Sequence, residues 1–361
     1  MREYDYEEEF HARDRKIFRK QRRQAQATDR SKFKKTDLAK KSAVKLDPNL
    51  RRGRVVSIGG EGVWVDSENG KVLCSLKGLL KKEKMQAKNI LAVGDMVRFS
   101  DDGAIAHIEE RYSFLARTDI SGKKEQLIAV NVDQAIISVS VVNPVLKPAL
   151  VDRYLIAAER GRMHPVIVVN KIDLLQDHPE EKARYQEFLA CYEQLGFPIL
   201  SVSSAQGIGI EALRALLKGK TSVFSGQSGV GKSSLINACY GLNLKTGGLA
   251  QKTAKGTHTT TVAELLALPG GGYCVDTPGI RSFGIWKLEL ADVTTHFCDL
   301  QAYACKYPDC RHVAEPGCGV LRALEQGELS SIRYESYRTL LEEAMAGVDN
   351  RTKRKMDEKS D

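Results

Sequence analysis

The chain has 361 residues, 42% of them hydrophobic, and carries a formal net charge of +9. This length and apolar content exclude a disordered protein and indicate two or three domains. No apolar run reaches ten residues, whereas a membrane-spanning helix needs about twenty, so we expect a cytoplasmic protein without a membrane partner. We expect no secretory signal, and the 8 cysteines favour a metal site over a disulfide scaffold in such a chain.

The positive charge is concentrated near the N-terminus. Residues 13–54 have a net charge of +13, so the rest of the chain is at −4. Residues 1–48 contain few apolar side chains, and we predict that they form a flexible basic arm that binds RNA or another polyanion. A solvated tail that only aids solubility is the alternative.

Residues 49–117 show the pattern of a small β-barrel. Five short segments of roughly alternating polarity follow one another, at 54–58, 63–65, 71–76, 95–99 and 104–108. Such closely spaced strands favour an OB-fold, a five-stranded barrel that often binds nucleic acids, over an SH3-like barrel. Trp64 is interpreted as a core residue, with base stacking as the alternative.

Residues 118–285 alternate apolar strands with helical patterns. Strands are predicted at 135–141, 165–169, 198–202 and 221–224, with helices at 148–162, 179–195 and 208–217 between them. This alternation is typical of an α/β domain with helices on both faces of a parallel sheet. Residues 286–346 are then predicted to form a helical, cysteine-containing domain, and residues 347–361 a charged tail.

A phosphate-binding loop follows the strand at 221–224. It matches GxxxxGK[ST] and precedes a helical segment, which is the setting that such a loop requires. Lys232 would reach the β- and γ-phosphates, and Ser233 would hold Mg²⁺. The nucleotide-binding residues expected here are Gly226, Gln227, Ser228, Gly229, Val230, Gly231, Lys232, Ser233 and Ser234.

Two segments would recognise guanine. Asn170, Lys171 and Asp173 form an NKxD motif after the strand at 165–169. Asp173 would accept hydrogen bonds from the N1–H and amine groups of guanine, and Asn170 would donate to the base edge. Adenine lacks those donors, so the motif disfavours ATP. A second loop would place a backbone N–H near the guanine oxygen; its residues are Ser203, Ser204 and Ala205.

Two further segments are expected to contact the γ-phosphate or its Mg²⁺. Asp276 and Gly279 form a DxxG motif, whose carboxylate reaches Mg²⁺ through water and whose glycine N–H senses the γ-phosphate. In the threonine-rich segment 255–261, Thr260 is the expected Mg²⁺ ligand in the GTP state, with Thr259 as second choice.

The residue after the DxxG motif is Ile280, where many GTPases carry a glutamine that orients the attacking water. Isoleucine cannot do this. Either hydrolysis is slow and stimulated by a partner, or another residue positions the water, for which His258 is the candidate. The expected catalytic residues are therefore His258, Thr260 and Lys232.

The order of the motifs indicates a circular permutation. The guanine-recognising segments precede the phosphate-binding ones, which is the reverse of their order in small GTPases. The DxxG segment therefore leads directly into the cysteine-containing domain. There, Cys305, Cys310, His312 and Cys318 have the spacing C-x₄-C-x-H-x₅-C, and four protein ligands of these types predict one structural Zn²⁺.

Residues 50–345 resemble the RsgA (YjeQ) family of circularly permuted GTPases. The resemblance rests on the barrel, NKID, GQSGVGKS, GTHTTT and DTPG in this order, and the zinc-ligand spacing. It implies a bacterial factor in late maturation of the small (30S) ribosomal subunit, whose GTPase activity the subunit stimulates and which leaves after hydrolysis. It implies the subunit and its rRNA, GTP, GDP and Mg²⁺ as partners, and we expect a monomer. A GTP-gated RNA-binding regulator with negligible turnover is the alternative.

Overall fold

The computed structural model describes residues 49–76, 90–118, 125–241, 263–276 and 288–357. They fall into two compact units. The larger unit holds the described parts of Asn49–Phe297 and Leu329–Asp361, and the described part of the smaller unit is Cys298–Glu328. Within these described ranges, every helix is too short or too polar to cross a bilayer.

The larger unit begins with a closed β-barrel. Its strands are β1 (Arg51–Ile58), β2 (Val63–Ser67), β3 (Gly70–Leu76), β4 (Met96–Phe99) and β5 (Ala104–Ile108). The barrel closes because β1 pairs with both β2 and β4, while β3 pairs in parallel with β5. This order, β1-β2-β3-β5-β4 and back to β1, confirms the predicted OB-fold. Inward-facing Val55, Val97 and Phe99 are fully buried in its core.

The interpretation of Trp64 as a core residue was wrong. The Trp64 side chain faces outward and is 38% exposed. Val63 and Val65 on either side of it are buried. Because successive side chains of a strand point to opposite faces, Trp64 must point outward when Val63 and Val65 fill the barrel.

A hairpin and an α/β domain follow the barrel. The hairpin pairs β6 (Phe114–Thr118) with β7 (Glu125–Val130). The α/β elements are β8 (Gln134–Ser140), α1 (Pro148–Arg160), β9 (His164–Asn170), a 3₁₀-helix (Ile172–Asp177), α2 (Pro179–Gln194), β10 (Ile199–Ser201), α3 (Ile210–Leu217), β11 (Thr221–Ser225), α4 (Lys232–Tyr240), β12 (Glu264–Ala267) and β13 (Tyr273–Asp276).

The sheet of this domain has the order β10-β9-β8-β11-β13-β12. Strands β10, β9, β8, β11 and β13 are parallel, and β12 is antiparallel to β13. Strand β11, which follows β8, β9 and β10 in the chain, lies between β8 and β13. The strands before the guanine-recognising segments and those before the phosphate-binding segments therefore belong to one sheet. All seven residues of β8 are buried, as expected for a central parallel strand covered on both faces.

The barrel is attached along the β12 edge of this sheet, where Ser57 on β1 pairs with Glu264, the residue opposite Asp276, and it also contacts the first residues of β11 and β13. Arg54 on β1 donates to Thr221 Oγ1 at 2.7 Å, and its guanidinium lies 5.4 Å from the centre of the Tyr273 ring. Thr221 and Tyr273 are the first residues of β11 and β13. The Tyr273 hydroxyl in turn donates to Asp66 of the barrel at 2.8 Å. These contacts join the barrel to the two strands that lead into the phosphate-binding loop and the DxxG motif.

The remaining helices complete the two units. The larger unit contains α5 (Leu290–His296), and the smaller one contains a 3₁₀-helix (Cys298–Ala302) and α6 (Gly319–Glu325). Helix α7 (Ser331–Asp357) returns to the larger unit, where α5 and α7 both pack on α1. It runs through most of the segment expected to form a charged tail. The domain limits proposed from the sequence remain predictions.

Candidate nucleotide site and metal centre

The loop between β11 and α4 has the backbone of an anion-binding loop. Gly226, Gly229 and Gly231 have φ values of 137°, 87° and 96°, a region that favours glycine. A Cβ on Gly226 would lie 2.0 Å from the Ser138 carbonyl oxygen, and one on Gly231 would lie 2.4 Å from Asn170 Nδ2. Glycine is therefore required at both positions, and helix α4 starts directly behind the loop at Lys232.

The Lys232 side chain lies across this loop. Its Nζ donates to the carbonyl oxygens of Gly226 and Gln227, both at 2.8 Å. The ammonium group is thus placed at the loop mouth, next to the N-terminus of α4, whose dipole adds positive potential. Ser233 and Ser234 are partly buried in the first turn of that helix. A phosphate chain at this position would contact both the Lys232 ammonium group and the N-terminus of α4.

Asn170 connects three of the predicted nucleotide-binding segments. Its Nδ2 donates to the Val230 carbonyl in the phosphate-binding loop at 2.9 Å. Its Oδ1 accepts from the Ser204 backbone N–H at 3.1 Å. The residue is fully buried, so this amide holds the NKxD segment, the Ser203–Ala205 loop and the phosphate-binding loop together. The base-edge hydrogen bond assigned to Asn170 from the sequence stays a prediction.

Lys171 lies beside the loop at Asn143 and Pro144, which is close to the phosphate-binding loop. Its Nζ donates to the Asn143 carbonyl oxygen, and burial lowers the pKa of Lys171, partly offset by the Asp173 carboxylate. A Cβ on Gly229 would come within 3.7 Å of Pro144 Cδ. Asp173 follows in the first turn of the 3₁₀-helix and is partly exposed, at the same sheet edge.

The Ser203–Ala205 loop is fixed by its own hydrogen bonds. Ser203 is fully buried, and its Oγ accepts from the Gln206 backbone N–H at 3.1 Å. Ser204 is partly buried and Ala205 is exposed. The exposed end of this loop therefore faces away from the core, where a base could reach its backbone.

Several predicted residues lie outside the described part of the chain. These are His258, Thr259, Thr260, Gly279 and Ile280, together with the basic arm. Asp276 is the last residue of β13, two strands away from β8 and adjacent to β11. Its backbone thus ends at the same sheet edge as the phosphate-binding loop.

The smaller unit brings the four predicted metal ligands together. One ligand atom from each of Cys305, Cys310, His312 and Cys318 lies within 4.8 Å of all the others. Cys305 Sγ is 3.8 Å from Cys318 Sγ, and both lie 3.4 Å from His312 Nδ1. Zn–S bonds of about 2.3 Å in a tetrahedron place two sulfur ligands about 3.8 Å apart. The donor set and its spacing therefore fit a tetrahedral zinc ion.

Backbone N–H groups surround this cluster. Gly319 N–H donates to Cys305 Sγ at 3.3 Å, and Leu321 N–H donates to Cys318 Sγ at 3.5 Å. Cys318 is the N-cap of α6, so the positive end of that helix also faces the sulfur. Such donors favour the thiolate form that binds metal. Four further cysteines are buried outside this cluster: Cys74, Cys191, Cys239 and Cys274.

Sequence reasoning missed a residue that orders the metal loop. The Glu315 carboxylate accepts from the backbone N–H groups of Arg311, Val313 and Ala314 at 2.8, 2.9 and 3.1 Å. Burial raises the pKa of Glu315, but these hydrogen bonds outweigh burial and lower it. The carboxylate thereby holds the turn around His312, whose φ is 59°. A single Glu among many offers no sequence signal for this role.

A buried charged cluster was also missed. His296 Nε2 contacts Asp152 Oδ1 at 2.8 Å, and Arg333 Nη1 donates to the same oxygen at 2.7 Å. Asp152 is fully buried in α1, and these groups tie α5 and α7 to it. His296 is the last residue of α5 and does not belong to the four predicted zinc ligands.

Comparison with known proteins agrees with this geometry. A family model described as RsgA GTPase matches residues 108–286. A Vibrio vulnificus (strain YJ016) protein named small ribosomal subunit biogenesis GTPase RsgA 1 is 40% identical over 307 residues, which cover 83% of this chain and 86% of that protein. The chain belongs to the RsgA GTPase family. Its resemblance to that family, and the expectation that it hydrolyses GTP, are thereby confirmed.

Other relatives extend the match. A Chlorobaculum tepidum protein named small ribosomal subunit biogenesis GTPase RsgA is 40% identical over 308 residues, 80% of this chain and 97% of that protein. The crystal structure of YjeQ from Thermotoga maritima has a TM-score of 0.64 and 35% identity, and covers 82% of this chain and 99% of that one. YloQ, described as a circularly permuted GTPase, has a TM-score of 0.62, 27% identity and coverages of 84% and 98%.

Proposed function

We propose that this GTPase binds the small (30S) ribosomal subunit in its GTP-bound state and acts late in maturation of that subunit. It hydrolyses GTP when the subunit stimulates it and then dissociates. The observation that carries the proposal is the match with relatives named small ribosomal subunit biogenesis GTPases, which spans 80–83% of this chain. We expect it to act in the cytoplasm and as a monomer.

In the proposed complex, the triphosphate lies in the loop Gly226–Ser233 and the guanine lies between Lys171 and the Ser203–Ala205 loop. The positive loop mouth formed by Lys232 and the α4 N-terminus supports the first assignment. The link from Asn170 to Val230 supports the second, because it fixes the distance between base and phosphates. Asp173 then selects guanine through its N1–H and amine groups.

Hydrolysis at this site follows the usual phosphoryl-transfer scheme. The oxygen of a water molecule bonds to the γ-phosphorus as the bond from that phosphorus to the β–γ bridging oxygen breaks. GDP leaves with the electron pair, and the proton of the water passes to phosphate. Lys232 neutralises charge on the β- and γ-oxygens. His258 positions the water, since Ile280 offers no polar atom for it.

Mg²⁺, when bound, neutralises phosphate charge and would be held by Ser233, Thr260 and, through water, Asp276. Zn²⁺ would be held by Cys305, Cys310, His312 and Cys318 as a structural ion, because four protein ligands leave no open position for chemistry. The barrel and the basic arm would supply affinity for rRNA.

The proposal is tested by the nucleotide dependence of subunit binding. Purified small subunits are titrated with the full chain bound to GDP or to a non-hydrolysable GTP analogue. We expect the analogue complex to bind at least about tenfold more tightly, a difference of about 1.4 kcal/mol. Equal affinities would contradict release upon hydrolysis. Tight binding to large subunits would contradict the choice of partner.

A further inference from the structure

A row of basic residues crosses the outer surface of the barrel. Arg52 on β1 lies directly opposite Arg98 on β4, and Arg98 lies opposite His107 on β5. Val97, the strand neighbour of Arg98, faces inward and is fully buried. The side chains of Arg52 and Arg98 are 55% and 34% exposed. The row thus presents two guanidinium groups to solvent from neighbouring strands.

Glu109 holds both guanidinium groups in place. Arg52 donates from Nε to Oε1 at 3.0 Å and from Nη2 to Oε2 at 2.8 Å. Arg98 donates from Nε to Oε1 at 2.9 Å. Two like charges opposite each other destabilise a sheet, and a shared carboxylate offsets part of this repulsion. One positive charge of the trio remains unbalanced.

The two arginines keep donors available for another anion. Among the described residues, Arg52 Nη1 and both Nη atoms of Arg98 have no acceptor. A planar guanidinium with adjacent N–H groups matches the oxygens of a phosphate, which it binds in a bidentate manner. Because Glu109 already fixes the side chains, little rotamer entropy is lost when a phosphate binds.

The opposite surface of the barrel has a different character. OB-folds often bind oligonucleotides on the β2–β3 surface. Here that surface exposes Trp64 and Leu73, which are cross-strand partners, and β2 also carries the carboxylate of Asp66. Asp66 lies opposite Lys71 on β3 and accepts from the Tyr273 hydroxyl, so this surface has no excess of positive charge, and charge complementarity for phosphate favours the arginine row.

We propose that Arg52 and Arg98 together bind a backbone phosphate of ribosomal RNA, with Glu109 as the positioning residue. This inference rests on the proposed function, which makes the small subunit the partner, and it assigns one RNA contact to the β1–β4–β5 surface. The basic segment of residues 13–54 ends on the same strand, so an RNA strand bound by that segment can continue onto this surface.

The test compares four full-length proteins by their affinity for small subunits, with a non-hydrolysable GTP analogue, from 50 to 200 mM KCl. They are the unmodified chain, R52Q/R98Q, R52K/R98K, and the control K71Q/K218Q, which removes two exposed lysines outside the row. Loss of one phosphate contact lowers the slope of log K against log salt by about 0.7–0.9. We therefore expect R52Q/R98Q to bind about tenfold more weakly near 100 mM salt, with that lower slope.

The control variants separate geometry from charge. R52K/R98K should keep the slope but bind a fewfold more weakly, because lysine lacks the bidentate geometry. K71Q/K218Q should stay within about twofold of the unmodified chain. If R52Q/R98Q matches K71Q/K218Q while the unmodified chain binds subunits well, the row makes no RNA contact and the proposed function stands.

A second measurement distinguishes failure of this inference from failure of the proposed function. If the unmodified chain does not bind small subunits, the same series is measured on poly(U), which reports phosphate contacts without any subunit. The slope difference of R52Q/R98Q should persist there. No difference on either probe overturns the inference. Unchanged melting temperatures and nucleotide affinities would show that all variants are folded.

Discussion

Asn170 Nδ2 donates to the Val230 carbonyl oxygen at 2.9 Å, across 60 residues of sequence. The same amide accepts from Ser204 N–H through Oδ1. One buried side chain therefore sets the spacing between the guanine-recognising segments, which come first in the chain, and the phosphate-binding loop, which follows them. Because the two segments lie 60 residues apart in the chain, the backbone between them does not by itself fix this spacing.

Asn170→Ala should disrupt that spacing. Val230 O and Ser204 N–H would lose their partner in a fully buried site, which costs about 1–3 kcal/mol of stability. We expect the GDP affinity to fall at least about tenfold, as measured by titration with a fluorescent GDP analogue. Gln206→Ala, at an exposed position in the adjoining loop, is the control and should bind GDP normally. Normal GDP affinity in Asn170→Ala would show that the link is dispensable.

Gly226→Ala should abolish nucleotide binding. Its Cβ would meet the Ser138 carbonyl oxygen at 2.0 Å, so β8 and the loop must separate. Gly207→Ala is the matched control because Gly207 also has a positive φ, 75°, but has open space around it; it should cost only about 1–2 kcal/mol. Denaturant unfolding and GDP titration compare the two. Similar behaviour of both variants would contradict the close approach of the loop to β8.

Asp173→Asn should change the base specificity. An amide cannot accept from both the N1–H and the amine of guanine, so GTP affinity should fall about 100-fold or more. Xanthine carries an oxygen where guanine has the amine, and the new amide N–H can donate to it. Competition between GTP and XTP measures the switch. Unchanged preference for GTP would remove Asp173 from the base site.

Glu315→Gln should weaken metal binding. The neutral amide accepts fewer and weaker hydrogen bonds from the turn around His312, and residues that orient metal ligands typically contribute 10–100-fold in affinity. Zinc affinity is measured by competition with a chromophoric chelator. Glu325→Gln, at an exposed position of α6, should leave it unchanged. An equal affinity in both variants would show that the turn forms without the Glu315 carboxylate.

The His296 cluster should make stability depend on pH. Burial lowers the pKa of His296, but hydrogen bonds to Asp152 and Glu159 outweigh burial and raise it. A raised pKa stabilises the fold fully below the unfolded value of about 6.5 and loses this contribution as pH rises through the folded value. The urea midpoint of the unmodified chain should therefore fall as the pH rises above about 6.5, and His296→Gln should show a smaller fall. A parallel pH profile in both proteins would contradict a protonated His296.

Local sequence patterns predicted the strands and helices that place the nucleotide site. The phosphate-binding loop, the NKxD segment and the metal ligands are each short in sequence, and each carries its own geometric requirement, such as the positive φ of Gly231. The structure places these segments where strand ends meet. The link from Asn170 to Val230 could not be predicted, because it depends on the relative position of β9 and β11.

Long-range contacts account for most of what was missed. The Asp152 carboxylate meets His296 and Arg333 across 144 and 181 residues, and no local pattern marks these partners. The position of Trp64, by contrast, was predictable. Its neighbours Val63 and Val65 fill the barrel, and the alternation of the strand then places Trp64 on the outside.

The rate of GTP hydrolysis with and without purified small ribosomal subunits tests the central claim most directly. We predict slow hydrolysis by the chain alone, strong stimulation by small subunits, and no stimulation by large subunits or bulk RNA. The stimulation should weaken as salt rises, because phosphate contacts carry much of the RNA affinity. Equally slow hydrolysis in every mixture would contradict the account and favour a GTP-gated RNA-binding regulator with negligible turnover.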